Sequence, residues 1–248
     1  MFWFFLFSIV LGASLGSFLN VAVLRAHVGA SLRGRSQCVD CKKQILARDL
    51  IPVVSFFLLK GRCMHCKKHI SWQYPAVELV LSLLFLWVAY FHFHYSGSNG
   101  LSLIFRDWYV VWIFAYIFLY DLLFMQVNVN VVTPAILTVF IVSGTFGWLT
   151  WLSMVYGACV GGGFFVAQRL VSRGKWVGSG DVFVGALLGV ILGWSMIVIG
   201  LLCAYVIGAV VALFLLIKKI RKRTDPLPMA SFFFFVEFVV LFWGNEMF

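Results

Sequence analysis

FWFFLFSIVLGASLGSFLNVAVL, residues 2–24, carries no charged residue from end to end and is long enough to cross a bilayer as one helix. It has no basic segment before it and is longer than the apolar core of a signal peptide, so it reads as a first membrane helix rather than a cleaved leader. A polar, basic segment follows at 25–74. Seven more apolar runs come after it, at about 75–93, 108–124, 131–149, 152–170, 182–197, 199–217 and 230–243. The split between the sixth and seventh spans rests on Gly193-Trp194-Ser195. Continuous runs of this length exclude a membrane barrel, whose strands alternate over roughly 10 residues.

Composition agrees. Of 248 residues, 63% are hydrophobic and 11% are charged, with a mean hydropathy of +1.02. Soluble domains carry about 25% charged residues. The expected fold is an all-α polytopic membrane protein of about eight transmembrane helices, with a small zinc-ribbon-like cytoplasmic insertion between helices 1 and 2. Its expected parts are residues 1–24 as the first helix, 25–74 as the cysteine-bearing cytoplasmic domain, and 75–248 as a transmembrane catalytic domain.

The net charge of +10 is patterned. Eighteen of the nineteen Lys and Arg residues fall in the loops after the first, fifth and seventh spans, and only Arg106 falls opposite. An eight-helix path puts those three loops on one side, which the positive-inside rule makes cytoplasmic. Such charge faces lipid headgroups, so no nucleic-acid partner is expected.

Within the basic segment, Cys38-Val-Asp-Cys41 and Cys63-Met-His-Cys66 are two CxxC pairs separated by 21 residues. Two such turns supply four thiolates for a tetrahedral metal site, and a reducing compartment favours metal over disulfides. Cys38, Cys41, Cys63 and Cys66 are therefore the expected ligands of a structural zinc. Four free or redox-active thiols are the alternative. His65 and His69 are expected at the surface, and Cys159 and Cys203 as ordinary buried cysteines.

Four acids fall in or at the ends of apolar runs: Glu78, Asp121, Asp181 and Glu237. Ionisable groups there are costly and point to function. Asp121 ends the third span, and Asp181 follows Gly178-Ser-Gly180 at the start of the sixth, on the same side. Two close carboxylates share a proton, one activating water and the other donating to the carbonyl oxygen. That is the chemistry of an aspartic protease. Either aspartate alone reads equally well as an end-of-helix residue. Glu78 is expected to pair with a basic residue of the loop.

Gly16-Ser-Phe-Leu-Asn20, Arg25, the two CxxC pairs, Asp49-Leu-Ile-Pro-Val-Val-Ser55, Gly61-Arg-Cys63, Ile70-Ser71 and Tyr74-Pro-Ala-Val-Glu78 occur in this order. Together they resemble the N-terminal half of type IV prepilin peptidases. Asp121 and the GxGD of Gly178–Asp181 extend the resemblance over roughly residues 11–190. The resemblance implies cleavage of a leader from prepilin or pseudopilin precursors at the cytoplasmic face of the bacterial inner membrane. It also implies N-methylation of the new N-terminus with S-adenosylmethionine. By position, Asp121 and Asp181 match the catalytic pair, and the four cysteines match those of the cytoplasmic domain. The sequence departs from the family pattern at Leu123, where a second acid is common, and at Asn128, where proline is usual. It departs again at Phe183, where lysine is common, and at Pro226-Leu-Pro228. Two rivals stand beside this reading: a non-catalytic scaffold of a pilus or secretion system, and a presenilin-like intramembrane protease with another substrate.

Overall fold

The structure, a computed structural model, describes residues 1–95, 100–218 and 232–234. Its described elements are helices: α1 (Phe2–His27), a 3-10 turn at Ala47–Leu50, α2 (Val54–Leu58), α3 (Gln73–Tyr95), α4 (Gly100–Phe124), α5 (Val129–Thr145), α6 (Trp151–Val171) and α7 (Ser179–Ile217). Five of them, α1, α3, α4, α6 and α7, are long and apolar enough to cross a membrane, and α5 is shorter at 17 residues. The polytopic all-α expectation is met, with the cysteine loop between the first two spans, α1 and α3. Of the last expected span, 230–243, only residues 232–234 are described and they are helical. The rest of that run, with Glu237, lies outside the described residues.

At 39 residues, α7 is nearly twice the length that one crossing needs. Its backbone breaks at Gly193 (φ 68°, ψ −176°), a left-handed value open to glycine. Contacts with α6 show the direction of each half. Gly157 lies on Gly189, and Gly161 on Gly185, so residues 179–192 run antiparallel to α6. Past the break, Trp194 N–H donates to Ser153 Oγ, and Tyr205 Oη donates to Gln168 Oε1, so 194–217 run parallel to α6. The chain therefore reverses at Gly193, and the sixth and seventh spans are two helices, divided where the glycine stood in the sequence.

The chain divides into two compact units, residues 1–112 and 113–248, with the boundary inside α4. In the first unit α1 packs on α3 through glycines. A Cβ on Gly12 would meet the backbone of Leu81 and Ser82, and one on Gly16 would meet Glu78 Cα at 2.8 Å. Buried Asn20 ties the same contact together. Its Nδ2 donates to the Gly16 and Tyr74 carbonyls, and its Oδ1 accepts from Gln73 Nε2 at 3.2 Å. In the second unit the α6–α7 contact is built from Gly157, Gly161, Gly185 and Gly189. Close backbone approach replaces the hydrophobic drive that lipid abolishes. A Gly157→Leu variant, whose first side-chain atom already meets the Gly189 carbonyl, is expected to lose about 1–3 kcal/mol. A lower melting temperature in detergent is the readout.

Outward faces are apolar: Val10, Leu83, Trp87, Leu152, Leu202 and Val210 are all exposed. Such faces suit lipid rather than water. Cys159, expected to be buried, is on this exposed surface, because α6 turns its glycine face inward instead.

Candidate functional site

The cysteine loop is built from two copies of one turn. Cys38 N–H donates to the Lys43 carbonyl, and Lys42 N–H donates to the Cys38 carbonyl. Cys63 N–H and the Lys68 carbonyl, and Lys67 N–H and the Cys63 carbonyl, repeat the pattern. Lys42 and Lys67 both have φ of 59°, and each turn closes on an isolated antiparallel bridge, Gln37 with Gln44 and Arg62 with His69. The turns meet. All four sulfurs lie within 4.8 Å of one another, and Cys38 Sγ is 3.9 Å from Cys66 Sγ. Tetrahedral zinc with Zn–S of about 2.3 Å needs sulfurs about 3.8 Å apart. Four clustered thiolates thus fit one metal ion. His65 and His69 are exposed and stay outside the cluster. A salt bridge from Lys68 Nζ to Asp40 Oδ1 (2.7 Å) links the two turns, although its exposure limits its worth.

The thiols differ in acidity. Cys63 is lowered to about 7 by the N–H groups of Cys66 and His65. At Cys66 the Lys68 N–H pulls downward, but desolvation and the neighbouring thiols win and push it up to about 11. A metal must therefore displace protons, most of all from Cys66. The depressed Cys63 thiolate is present above about pH 7 and is lost as pH falls through that value. Zinc affinity is expected to rise with pH, and calorimetry in buffers of different ionisation enthalpy should detect the released protons.

Asp121 lies in the last turn of α4, 5% exposed, and its carbonyl accepts Met125 N–H as the helix ends. Asp181 lies in the first turn of α7. Its Oδ2 accepts Gly178 N–H at 2.9 Å, so it does close the helix entrance. That bond uses one oxygen, and Oδ1 has no partner among the described residues. The glycine before it matters for a different reason. Gly180 packs against Val127, where any Cβ would collide with the valine side chain. Val127 belongs to the turn that follows Asp121, and in the same turn Asn128 Nδ2 donates to Tyr116 Oη at 3.0 Å. The α4–α5 turn and the α7 entrance are therefore in contact one residue from Asp181 and six from Asp121. Leu123 and Phe183 are both exposed and uncharged, so neither puts a charge on this region.

Two polar features escaped the sequence reading. Asp107, which lies just before the apolar run at 108–124, is fully buried in α4. It binds His92 Nε2 through Oδ2 (2.6 Å) and accepts from Arg106 Nε through Oδ1 (2.6 Å). Helix α4 begins at Gly100, eight residues before the apolar run, and brings the aspartate inside. Among the described residues, Glu78 pairs with no basic side chain. Its Oε2 accepts Val53 N–H at 2.7 Å, because α3 buries it beneath the start of α2.

Comparison with known proteins fits this arrangement. Residues 10–92 match the bacterial peptidase A24 N-terminal domain, and residues 108–213 match the type IV leader peptidase family. A prepilin leader peptidase/N-methyltransferase of Bacillus subtilis (strain 168) is 30% identical over 226 residues, which cover 89% of this chain and 87% of the relative. The chain belongs to the type IV leader peptidase family. Proteins of the same name in Stutzerimonas stutzeri and Pseudomonas putida are 29% and 28% identical, and each alignment covers at least 98% of this chain and 92% of the relative. No solved structure matches the chain. The first matched segment holds all four cysteines, and the second holds Asp121 and Asp181.

Proposed function

We propose that this chain is a membrane aspartic endopeptidase that removes the leader from type IV prepilin or pseudopilin precursors and N-methylates the new N-terminus. Asp121 and Asp181 form its cleaving pair. The observation that carries this assignment is the contact of Gly180 with Val127, which puts the α7 entrance against the turn that follows Asp121. The precursor's apolar segment lies in the bilayer with its leader on the cytoplasmic side of the inner membrane, the side assigned by the basic loops. One aspartate, ionised, takes a proton from water. The other, protonated, donates to the scissile carbonyl oxygen. Asp181 is held for this by the Gly178 N–H on one oxygen, and the other oxygen is left for water or substrate.

Residues 25–74 serve as a zinc-stabilised cytoplasmic domain, with Cys38, Cys41, Cys63 and Cys66 holding the ion. Four thiolate ligands leave no open position, so the zinc supplies shape rather than Lewis acidity. Residues 75–248 carry out the cleavage. S-adenosylmethionine is the methyl donor consumed.

The test is incubation of the purified protein, in lipid nanodiscs, with a pilin-like precursor, followed by mass measurement of the product. Leader loss is the expected result, with one added methyl group when S-adenosylmethionine is present. An intact precursor beside folded, zinc-loaded protein contradicts the reading and favours a scaffold.

A further inference from the structure

Glu78 is 7% exposed, and among the described residues no basic side chain pairs with its carboxyl group. Its one hydrogen bond comes from Val53 N–H, and Oε1 has no partner among the described residues. Two cations of this unit are engaged elsewhere. Arg25 gives its guanidinium to the carbonyls of Ser31, Leu32, Arg33 and Arg35, and Lys68 gives its ammonium to Asp40. A buried acid with an unused oxygen is costly, and a ligand that brings the opposite charge offsets that cost.

The cover over this carboxylate is itself strained. Val53 has φ 62° and ψ −53°, with Val54 N–H bonded to the Pro52 carbonyl at 2.6 Å, a γ-turn that β-branched residues rarely adopt. Strain of this kind gathers at ligand clamps. On the other side Gly16 lets α1 lie directly on Glu78 Cα, and Asn20 and Gln73 are bonded to each other along the same helix contact. The carboxylate therefore sits at the loop end of the α1–α3 pair, where the cysteine loop joins the membrane helices.

We infer that Glu78 is the binding group for the α-ammonium of the processed substrate, and so the acceptor site for methylation. The inference rests on the proposed leader removal and methylation. Cleavage turns a peptide nitrogen into an α-ammonium at the tip of an apolar helix, a cation that did not exist in the precursor. Glu78 pairs with that ammonium and orients it. The ammonium gives one proton to Glu78 Oε1, and its freed lone pair then bonds the methyl carbon of S-adenosylmethionine as the S–CH3 bond breaks and S-adenosylhomocysteine leaves.

Glu78→Gln separates this role from holding the turn, since its amide oxygen still accepts from Val53. Three readouts are needed: leader cleavage, methyl transfer to a pre-cleaved product, and affinity for a free-amine peptide against its N-acetylated twin. Wild type should prefer the free amine at least tenfold. Glu78→Gln should lose that preference and at least tenfold of methyl transfer, with cleavage and zinc content unchanged. Methylation at the wild-type rate, or joint loss of cleavage, zinc and methylation, would overturn the inference. Weaker binding of S-adenosylmethionine relative to S-adenosylhomocysteine, with amine preference intact, would also overturn it by assigning Glu78 to the sulfonium. If wild type cleaves but never methylates, the methylation reading fails, and an amine preference that depends on Glu78 would still stand.

Discussion

Asp121→Asn and Asp181→Asn each reduce leader cleavage by about 10³-fold or more, equivalent to about 4 kcal/mol of transition-state stabilisation. Asparagine keeps the size of the side chain and can still accept the Gly178 N–H, so the α7 entrance survives. It cannot take a proton from water or give one to a carbonyl. In the proposed mechanism both groups act on the reacting atoms, so the effect should fall on kcat rather than on precursor affinity. The proposed pair acts as one unit, so the double variant should be little slower than either single one. Single-turnover rates measured in nanodiscs decide this. Full activity in either variant would remove that aspartate from the site.

Cys63→Ser has the next largest effect. Metal binding supplies much of the folding energy of a small four-cysteine module, about 10–16 kcal/mol in isolated zinc peptides. Loop 25–74 has only two isolated bridges and two short helical turns among its described elements, so little else holds it. Loss of one thiolate should take bound zinc from one ion per chain to a small fraction. Limited proteolysis should then cut within 36–70 while the membrane helices remain protected. Methyl transfer should fall at least tenfold, and cleavage should fall much less. A protease-resistant loop without metal would contradict the structural role.

Much of this was legible in the sequence, for definite reasons. Continuous apolar runs gave the all-α membrane fold, and Gly193 gave the break within α7. The paired CxxC turns gave the metal cluster, since each repeats the same Cys-to-Lys spacing. The site was legible only in part. Asp121 and Asp181 stood out as acids in apolar surroundings, but Gly180 fitting against Val127 is a fact of packing that spacing cannot give. Asp107 did not stand out because α4 starts with mixed residues before its apolar run. Glu78 was given the wrong partner because its donor is a backbone N–H, which every residue but proline carries and no sequence pattern reveals.

That Asp121 and Asp181, from separate helices, make one site is tested most directly by cross-linking. An Asp121→Cys/Asp181→Cys double variant, with Cys159 and Cys203 replaced by alanine and the loop cysteines held by zinc, is treated with a short bifunctional thiol reagent. It is then cut by protease between α4 and α7. Fragments that stay joined, with neither single variant giving a link, are the expected result. Fragments that separate although both thiols react with a small maleimide would contradict a shared site.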